Sequence, residues 1–320
     1  MSLTSFLKSP VSKKFREKLR KDFPRPKILL QGEMIAPPQS KNYGIVGTAF
    51  DYLLRFKLER EYLNTKELEE DWVADLVMKK IAEPKPFKLH TIEELDELYD
   101  GELSREMLEI KLALEKKWIE EKLQARKNFS SKVGNLYEEA KSNYRVFMES
   151  GKFTKELAKS AIVLAKLDLV SRAGIYDETI SISNDNDIHD LENLFKAIPL
   201  EKFKPSNEII LNPTFGTGSA VFLGADADLI IDNTLIEIKT TKKLEFTRNY
   251  INQLLSYTLA SRIGGINRNE NSEDQIQNIG VYFSRHGLLC TIPLASFGTN
   301  QKFEDFKNWV PTFFEDVFTV

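Results

Sequence analysis

GADADLIIDNTLIEIKTTKK, residues 224–243, alternates apolar and polar side chains on either side of Asp232-Asn233, a pair suited to a tight turn. The pattern predicts a β-hairpin in which Ile231 faces Thr234. Counting outward from that pair puts Asp228 opposite Glu237 and Asp226 opposite Lys239. Side chains alternate along a strand, so Val221, Leu223, Ala225, Ala227, Leu229 and Ile231 join Ile236 and Ile238 on an apolar side. Asp226, Asp228, Glu237 and Lys239 share the other side, where directly opposed residues have Cβ atoms about 4.5–5.5 Å apart.

Carboxylates that close repel one another and gain nothing on an ordinary surface. A hard divalent cation relieves the repulsion, because Mg2+ takes oxygen ligands and keeps several waters while held by one or two carboxylates. Such a cation polarises a phosphoryl oxygen and activates water, and Lys239 can orient that water or stabilise developing charge. These are the parts of phosphodiester hydrolysis. The plainer reading of the same residues is an exposed hairpin whose Asp228/Glu237 repulsion is offset by Lys239. Asp226 is a second ligand or, preferably, a local partner of Lys239. Lys242 and Lys243 meet phosphates or face water.

Outward from this stretch, Glu208–Leu211, Ser219–Asp232 and Thr234–Thr241 read as strands. A helix over about Thr247 to Ile263 ends at Gly264-Gly265 and puts Gln253 and Tyr257 on one face. Strands over Ile279–Arg285 and Leu288–Leu294 flank a His286-Gly287 hairpin turn. A closing helix runs over about Lys302 to Phe318, with Pro311 expected to break or kink it. Upstream, Phe50, Leu53, Leu54, Leu58 and Tyr62 recur at helical steps. A charge-laced helical region covers roughly Thr91 to Val170, with Leu95, Leu98, Leu103, Leu108, Leu112, Trp118, Leu123 and Phe129 as its apolar stripe. SISNDNDIHD, residues 181–190, reads as a polar loop rather than core.

Composition narrows the chemistry. The 320 residues are 42% hydrophobic and 29% charged, enough apolar content for a sizeable core. A single cysteine, Cys290, excludes an intrachain disulfide, and three scattered histidines (His90, His189, His286) support no histidine-built metal centre. His286 reads as a non-catalytic turn residue. A catalytic metal here is held by oxygen. No run of about 18 uncharged apolar residues and no signal-peptide core occur, so a soluble, cytoplasmic protein with no membrane partner is expected. Neither a nucleophile-elbow pattern nor a Walker-type loop is present. The net charge of −3 is uneven: residues 1–28 carry nine Lys/Arg against Glu17 and Asp22, a net of +7, leaving −10 for the rest. This basic arm, with Phe15 and Phe23 interleaved, suits phosphate contact or forms a solvated amphipathic helix. Pro24, Pro26, Pro37 and Pro38 follow it and argue against helix there.

Asp228, followed by Glu237-Ile238-Lys239, resembles the active-site hairpin of the PD-(D/E)XK nuclease superfamily. Gln253-Leu-Leu-Ser-Tyr257 on the next helix is similar to the Q-x-x-x-Y signature of its RecB-like branch. Gly47-Thr-Ala-Phe-Asp51 resembles that branch's G-x-x-x-H, with aspartate in place of the histidine that ligates metal in some members. Asp51 is then an oxygen ligand for Mg2+ or Mn2+, or a solvated residue early in its helix. The resemblance covers Gly44–Tyr62 and about Glu208–Leu294. It implies a restriction-endonuclease-like α/β core, a central mixed sheet flanked by helices, formed by residues 41–62 and 206–320. Residues 63–205 form a large helical insertion and residues 1–40 the basic arm and Pro-rich lead-in.

The implied activity is metal-dependent hydrolysis of DNA, with RNA as the other candidate substrate and with end or internal cleavage left open. Asp228, Glu237 and the Ile238 carbonyl bind Mg2+ or Mn2+; Lys239 acts on the water or the developing charge; Gln253 and Tyr257 orient substrate. The arm and insertion grip nucleic acid or a partner protein. Nucleases of this branch serve recombination, repair, phage replication or anti-phage defence. The rival expectation is a nuclease-fold scaffold, or a subunit silent until a helicase or defence partner delivers substrate.

Overall fold

The computed structural model describes residues 3–63, 72–82, 87–174, 176, 179–222, 224–267 and 276–318. Leu223, assigned above to the apolar side of the hairpin, lies outside them. The chain divides into two units, Met1–Glu67 with Asp185–Val320, and Leu68–Asn184. In chain order the helices are α1 (Leu3–Lys8), α2 (Lys13–Asp22), α3 (Tyr43–Tyr62), α4 (Val73–Ala82), α5 (Ile92–Leu98), α6 (Arg105–Ser150), α7 (Lys155–Ala173), α8 (Asp185–Lys196), α9 (Gly216–Val221), α10 (Arg248–Gly264) and α11 (Asn300–Phe318). The strands are β1 (Ile209–Leu211), β2 (Leu229–Ile231), β3 (Thr234–Lys239), β4 (Asn278–Phe283) and β5 (Leu288–Pro293). None of the described helices is long and apolar enough to cross a membrane.

The first unit is mixed α/β, as expected. Among the described residues its five strands form one sheet in the order β1-β2-β3-β4-β5, with β3 and β4 parallel and every other adjacent pair antiparallel. A parallel pair needs a long crossover, and α10 supplies it between β3 and β4. Strand β3 is therefore central, and helices cover both faces of the sheet. On one face Ile230, Leu235, Ile279, Val281 and Phe283 pack with α10, α11, α1 and α2. On the other, Tyr282 meets Phe50 of α3 and Phe203, with ring centroids 6.4 and 4.8 Å apart. Ile231 pairs with Thr234 across the turn as the sequence predicts. Asp232 takes a positive φ of 52° there, and its carboxylate accepts the amides of Ser206, Asn207 and Glu208. Those backbone bonds hold it below the usual carboxylate range.

Several expectations are corrected. The strand expected over Ser219–Asp232 shrinks to Leu229–Ile231, and Val221 closes the short helix α9. Here packing overrides alternation: α9 lies so close to α10 that a Cβ on Gly218 would overlap the Ala260 carbonyl oxygen. The polar run 181–190 is no loop throughout, because α8 begins at Asp185 and buries Asp187, Ile188 and Asp190. Its acids are matched inside. Asp190 forms two bonds to Arg285, at 2.7 and 3.1 Å, with both side chains fully buried, while Asp187 accepts from Ser40 and Asn42. Residues 185–205 therefore belong with the first unit rather than with the helical insertion. The His286-Gly287 hairpin turn is a 3-10 turn over Ser284–His286, closed by Gly287 at φ 54°. Helix α11 continues through Pro311.

The basic segment is not a free arm. Phe6, Phe15, Leu19 and Phe23 are fully buried. Phe15 packs edge-on against Phe306 with centroids 5.5 Å apart, and Phe23 lies 4.5 Å from Phe303. Phe15 and Leu19 stand four apart and share one stripe of α2, while Lys13, Lys14 and Lys21 stay exposed. Burying such a side chain is worth about 1.5–3 kcal/mol, so the apolar stripe seats the segment and the charges cover its outer side.

In the second unit α6 starts at an N-cap Ser104, whose hydroxyl accepts the Met107 amide, and stops at Gly151 with φ 67°. Phe129, Val133, Tyr137, Ala140 and Phe147 give it one buried stripe, and α7 packs along it. Of the stripe expected upstream, Leu95, Leu108 and Phe129 are buried, whereas Leu98, Trp118 and Leu123 are exposed. Asp75 of α4 binds the Tyr137 hydroxyl and Lys141, the latter at 3.2 Å. Burial and that bond push the Tyr137 phenol up to about 12.

Candidate active site

Alternation along β3 turns Leu235, Glu237 and Lys239 toward α10. Leu235 packs into the core, and the two charged residues beyond it meet α10 where the sheet ends. Glu237 is only 7% exposed and Lys239 21%. The Lys239 ammonium donates to Glu237 Oε1 at 2.6 Å and to Gln253 Oε1 at 3.3 Å. Gln253 Nε2 donates to the same Glu237 oxygen at 2.9 Å and to the Tyr257 hydroxyl at 2.9 Å. Glu237, Lys239, Gln253 and Tyr257 thus form one connected polar cluster. The other Glu237 oxygen, Oε2, is buried without a hydrogen-bond partner among the described residues.

Helix α10 holds its half of the cluster rigidly. Thr247 caps it by accepting the Tyr250 amide, and every residue from Ile251 to Arg262 is buried. Its buried hydroxyls are satisfied locally: Ser256, Thr258 and Ser261 donate to carbonyls three or four residues back, at 2.8, 3.0 and 2.8 Å. Gln253 and Tyr257, one turn apart, face β3 between these positions.

Asp228 arrives differently from the expected cross-strand pair. The β2–β3 ladder ends at Leu229 opposite Ile236. One residue beyond, the Asp228 carboxylate accepts the Ile238 backbone amide at 2.5 Å. Burial pushes its carboxyl well above the ordinary value of 3.8, and the Glu237 and Asp51 charges push the same way against weaker help from Lys239 and the Ile238 amide. Tyr257 is also raised well above its usual range, by burial and then by Glu237 and Asp228. For Lys239 burial disfavours the cation, but Glu237 and Asp228 outweigh it and leave the ammonium above its ordinary range. The site is a desolvated place with more negative charge than one lysine balances.

Asp51 reaches this charge cluster from α3 on the opposite side of the sheet. Its Oδ2 accepts from Arg55 at 2.8 Å, and its Oδ1 is buried without a partner among the described residues. Asp226 lies outside the β2–β3 ladder, is exposed and forms an antiparallel backbone bridge with Thr214. Lys242 lies over the Tyr43 ring at 5.0 Å, and Lys243 is exposed. His286 sits in its turn, lowered by burial and by Arg285. Among the described residues no three His, Cys, Asp or Glu side chains gather as a metal-ligand set. What the site offers a hard cation is two carboxylates, Asp228 and Glu237, one with an unpartnered buried oxygen, and that donor set fits an ion that keeps most of its waters.

Sequence reasoning missed four residues beside the cluster. Tyr250 lies under the Lys239 ammonium, 5.1 Å from its ring centre; its place three residues before Gln253 is the signal that could have found it. Thr4, Lys8 and Arg16 join Lys239, Tyr250 and Gln253 around a cavity of about 340 Å³. Nothing in the local sequence links those three to residue 239. No family model matches the chain, and no curated protein and no solved structure matches it.

Proposed function

We propose that this chain is a metal-dependent nuclease of restriction-endonuclease-like core that hydrolyses phosphodiester bonds in DNA. The observation that carries the reading is the convergence of Asp228, Glu237, Lys239, Gln253 and Tyr257 in a desolvated cluster with an uncompensated carboxylate oxygen. Asp228 and Glu237 Oε2 would hold Mg2+ or Mn2+, which when bound supplies Lewis-acid polarisation of the phosphoryl group. The raised Lys239 stays a cation at neutral pH, so it acts on negative charge developing at the phosphate rather than as a base. Gln253 is a positioning residue: it fixes Glu237 Oε1 and the ammonium together and leaves the buried Oε2 without a hydrogen-bond partner among the described residues. Tyr257, kept as the neutral phenol, anchors Gln253 and so acts through it.

The test is purified protein with Mg2+ or Mn2+ against linear, circular and single-stranded DNA. Cleavage that EDTA stops and that Lys239→Ala lowers by about 100-fold or more is the expected result. Intact substrates under every metal, at enzyme in excess of DNA, overturn the reading.

A further inference from the structure

Helix α6 carries two apolar stripes, and its own unit covers one of them. The C-terminal half buries Phe129, Val133, Tyr137, Ala140 and Phe147. In the N-terminal half Met107, Ile110, Leu114 and Trp118 recur at steps of three and four, hence on one face. They are 49%, 55%, 61% and 50% exposed. The segment that precedes α6 lies along a neighbouring side of that half. There His90 Nδ1 meets Glu115 at 2.6 Å, and the Lys111 ammonium stands 4.3 Å from the centre of the Tyr99 ring. A contiguous apolar row left open in this way marks an interaction surface rather than ordinary surface scatter.

We propose that this face binds a second copy of the chain, α6 against α6 in antiparallel two-fold packing. The charges along the stripe select that occupant. A two-fold contact is self-complementary: if one residue meets another across it, the second meets the first in return. An axis at the level of residue 112 sets Met107 against the partner's Trp118 and Ile110 against the partner's Leu114, which fills the seam. The same register sets exposed Glu106 beside the partner's Lys117, also exposed and of opposite charge, and symmetry makes that ion pair twice. Glu121, the next seam position after Trp118, comes beside the partner's Ser104, the N-cap of α6, where the helix dipole favours an anion. All four pairs straddle residue 112 to within half a position. Parallel packing would instead set Glu121 against the partner's Glu121 in the seam, and like charges there repel. No residue of the candidate active site takes part, so the contact is independent of the nuclease reading.

Sedimentation velocity of the full chain over roughly a hundredfold range of concentration tests the proposal, because a homodimer responds to mass action. Wild type should shift from monomer to dimer. Ile110→Glu/Leu114→Glu should weaken association by at least about tenfold, and both positions are exposed, so circular dichroism should show its helix content unchanged. Crosslinking then reads the register in a Cys290→Ser background. Met107 and Trp118 are eleven positions apart, about 16 Å along a helix at about 1.5 Å per residue, whereas a disulfide needs Cα atoms within about 7 Å. Met107→Cys and Trp118→Cys should therefore crosslink when mixed, and neither with itself. A monomer at every concentration, a dimer unchanged in the double variant, or self-crosslinking of Met107→Cys overturns the proposal. So does a monomer that floats with anionic phospholipid vesicles and loses them in Ile110→Glu/Leu114→Glu, which assigns the stripe to a lipid surface.

Discussion

Lys239 and Glu237, two residues apart on β3, point to the same face and close on each other at 2.6 Å, at a place where Glu237 is almost wholly buried. The pair is not a surface salt bridge. Gln253 clamps it from α10 by donating to the same carboxylate oxygen, so the ammonium and the buried, unpartnered Oε2 are held as one unit.

Replacing Lys239 with Ala should reduce cleavage by about 100-fold or more, the usual loss when a charge-stabilising group is removed. It should also destabilise the protein by about 1–3 kcal/mol, because Glu237 is left buried without its cation; the full cost of about 3–5 kcal/mol for a wholly buried pair is discounted for the exposure of Lys239. Adding Glu237→Gln should restore most of the stability and none of the activity. Denaturant melts of the two variants, alongside turnover, check both parts. Wild-type turnover in Lys239→Ala would remove the lysine from the chemistry.

Mg2+ or Mn2+ should raise the melting temperature of wild type, since an ion bound by the native state stabilises by mass action. Asp228→Asn should lose that response together with cleavage, while the metal-free variant gains stability over wild type because a buried charge and its repulsion by Glu237 and Asp51 are both removed. Calorimetric titration of the two proteins decides the matter, and equal metal affinity in both would contradict the assignment of Asp228.

The raised Asp228 carboxyl fixes a sign for pH. A group whose folded value lies above its unfolded value contributes stability that is complete below the unfolded value, near 3.8, and is lost as pH climbs through the folded one. The stability advantage of metal-free Asp228→Asn over wild type should therefore grow as pH rises from about 4. Metal affinity should rise over the same range, because the proton must leave before the ion binds. A pH-independent difference between the two proteins would show that Asp228 is an ordinary surface carboxylate.

Phe15→Ala should cost about 3–5 kcal/mol, as expected for a large aromatic lost from a filled core, and truncation of residues 1–22 should unfold the first unit. Thermal melts separate this from a detachable arm, whose loss would leave the melting temperature unchanged.

Arg285→Ala should cost a similar amount, about 3–5 kcal/mol, by leaving Asp190 fully buried without its partner. Asp190→Leu/Arg285→Met should be the milder change, since it removes both charges. A stability loss below about 1 kcal/mol in Arg285→Ala would mean that α8 is not fastened to the sheet by this pair.

Local rules were enough wherever one element specifies itself. Asp232-Asn233 sets the turn and hence the Ile231/Thr234 register. Thr247 and Gly265 bound α10, and the spacing of Gln253 and Tyr257 puts both on one helix face. The sequence also holds the candidate chemistry, because D-x8-E-x-K and Q-x-x-x-Y sit within thirty residues of each other. Tertiary structure decided what depends on a distant surface. Alternation alone extended β2 back to Ser219, yet the close seat of Gly218 on Ala260 turns that segment into α9 and frees Asp228 to take the Ile238 amide. Polarity alone made residues 181–190 a loop, yet Arg285 and Ser40, about 95 and 147 positions away, satisfy Asp190 and Asp187 inside the protein. Charge alone made the N-terminus an arm, yet its aromatic stripe finds α11 some 290 residues later and brings Lys8 and Arg16 to the cavity beside Lys239. A sequence states which groups need partners; only the folded chain supplies the partners, because burial removes water as the alternative.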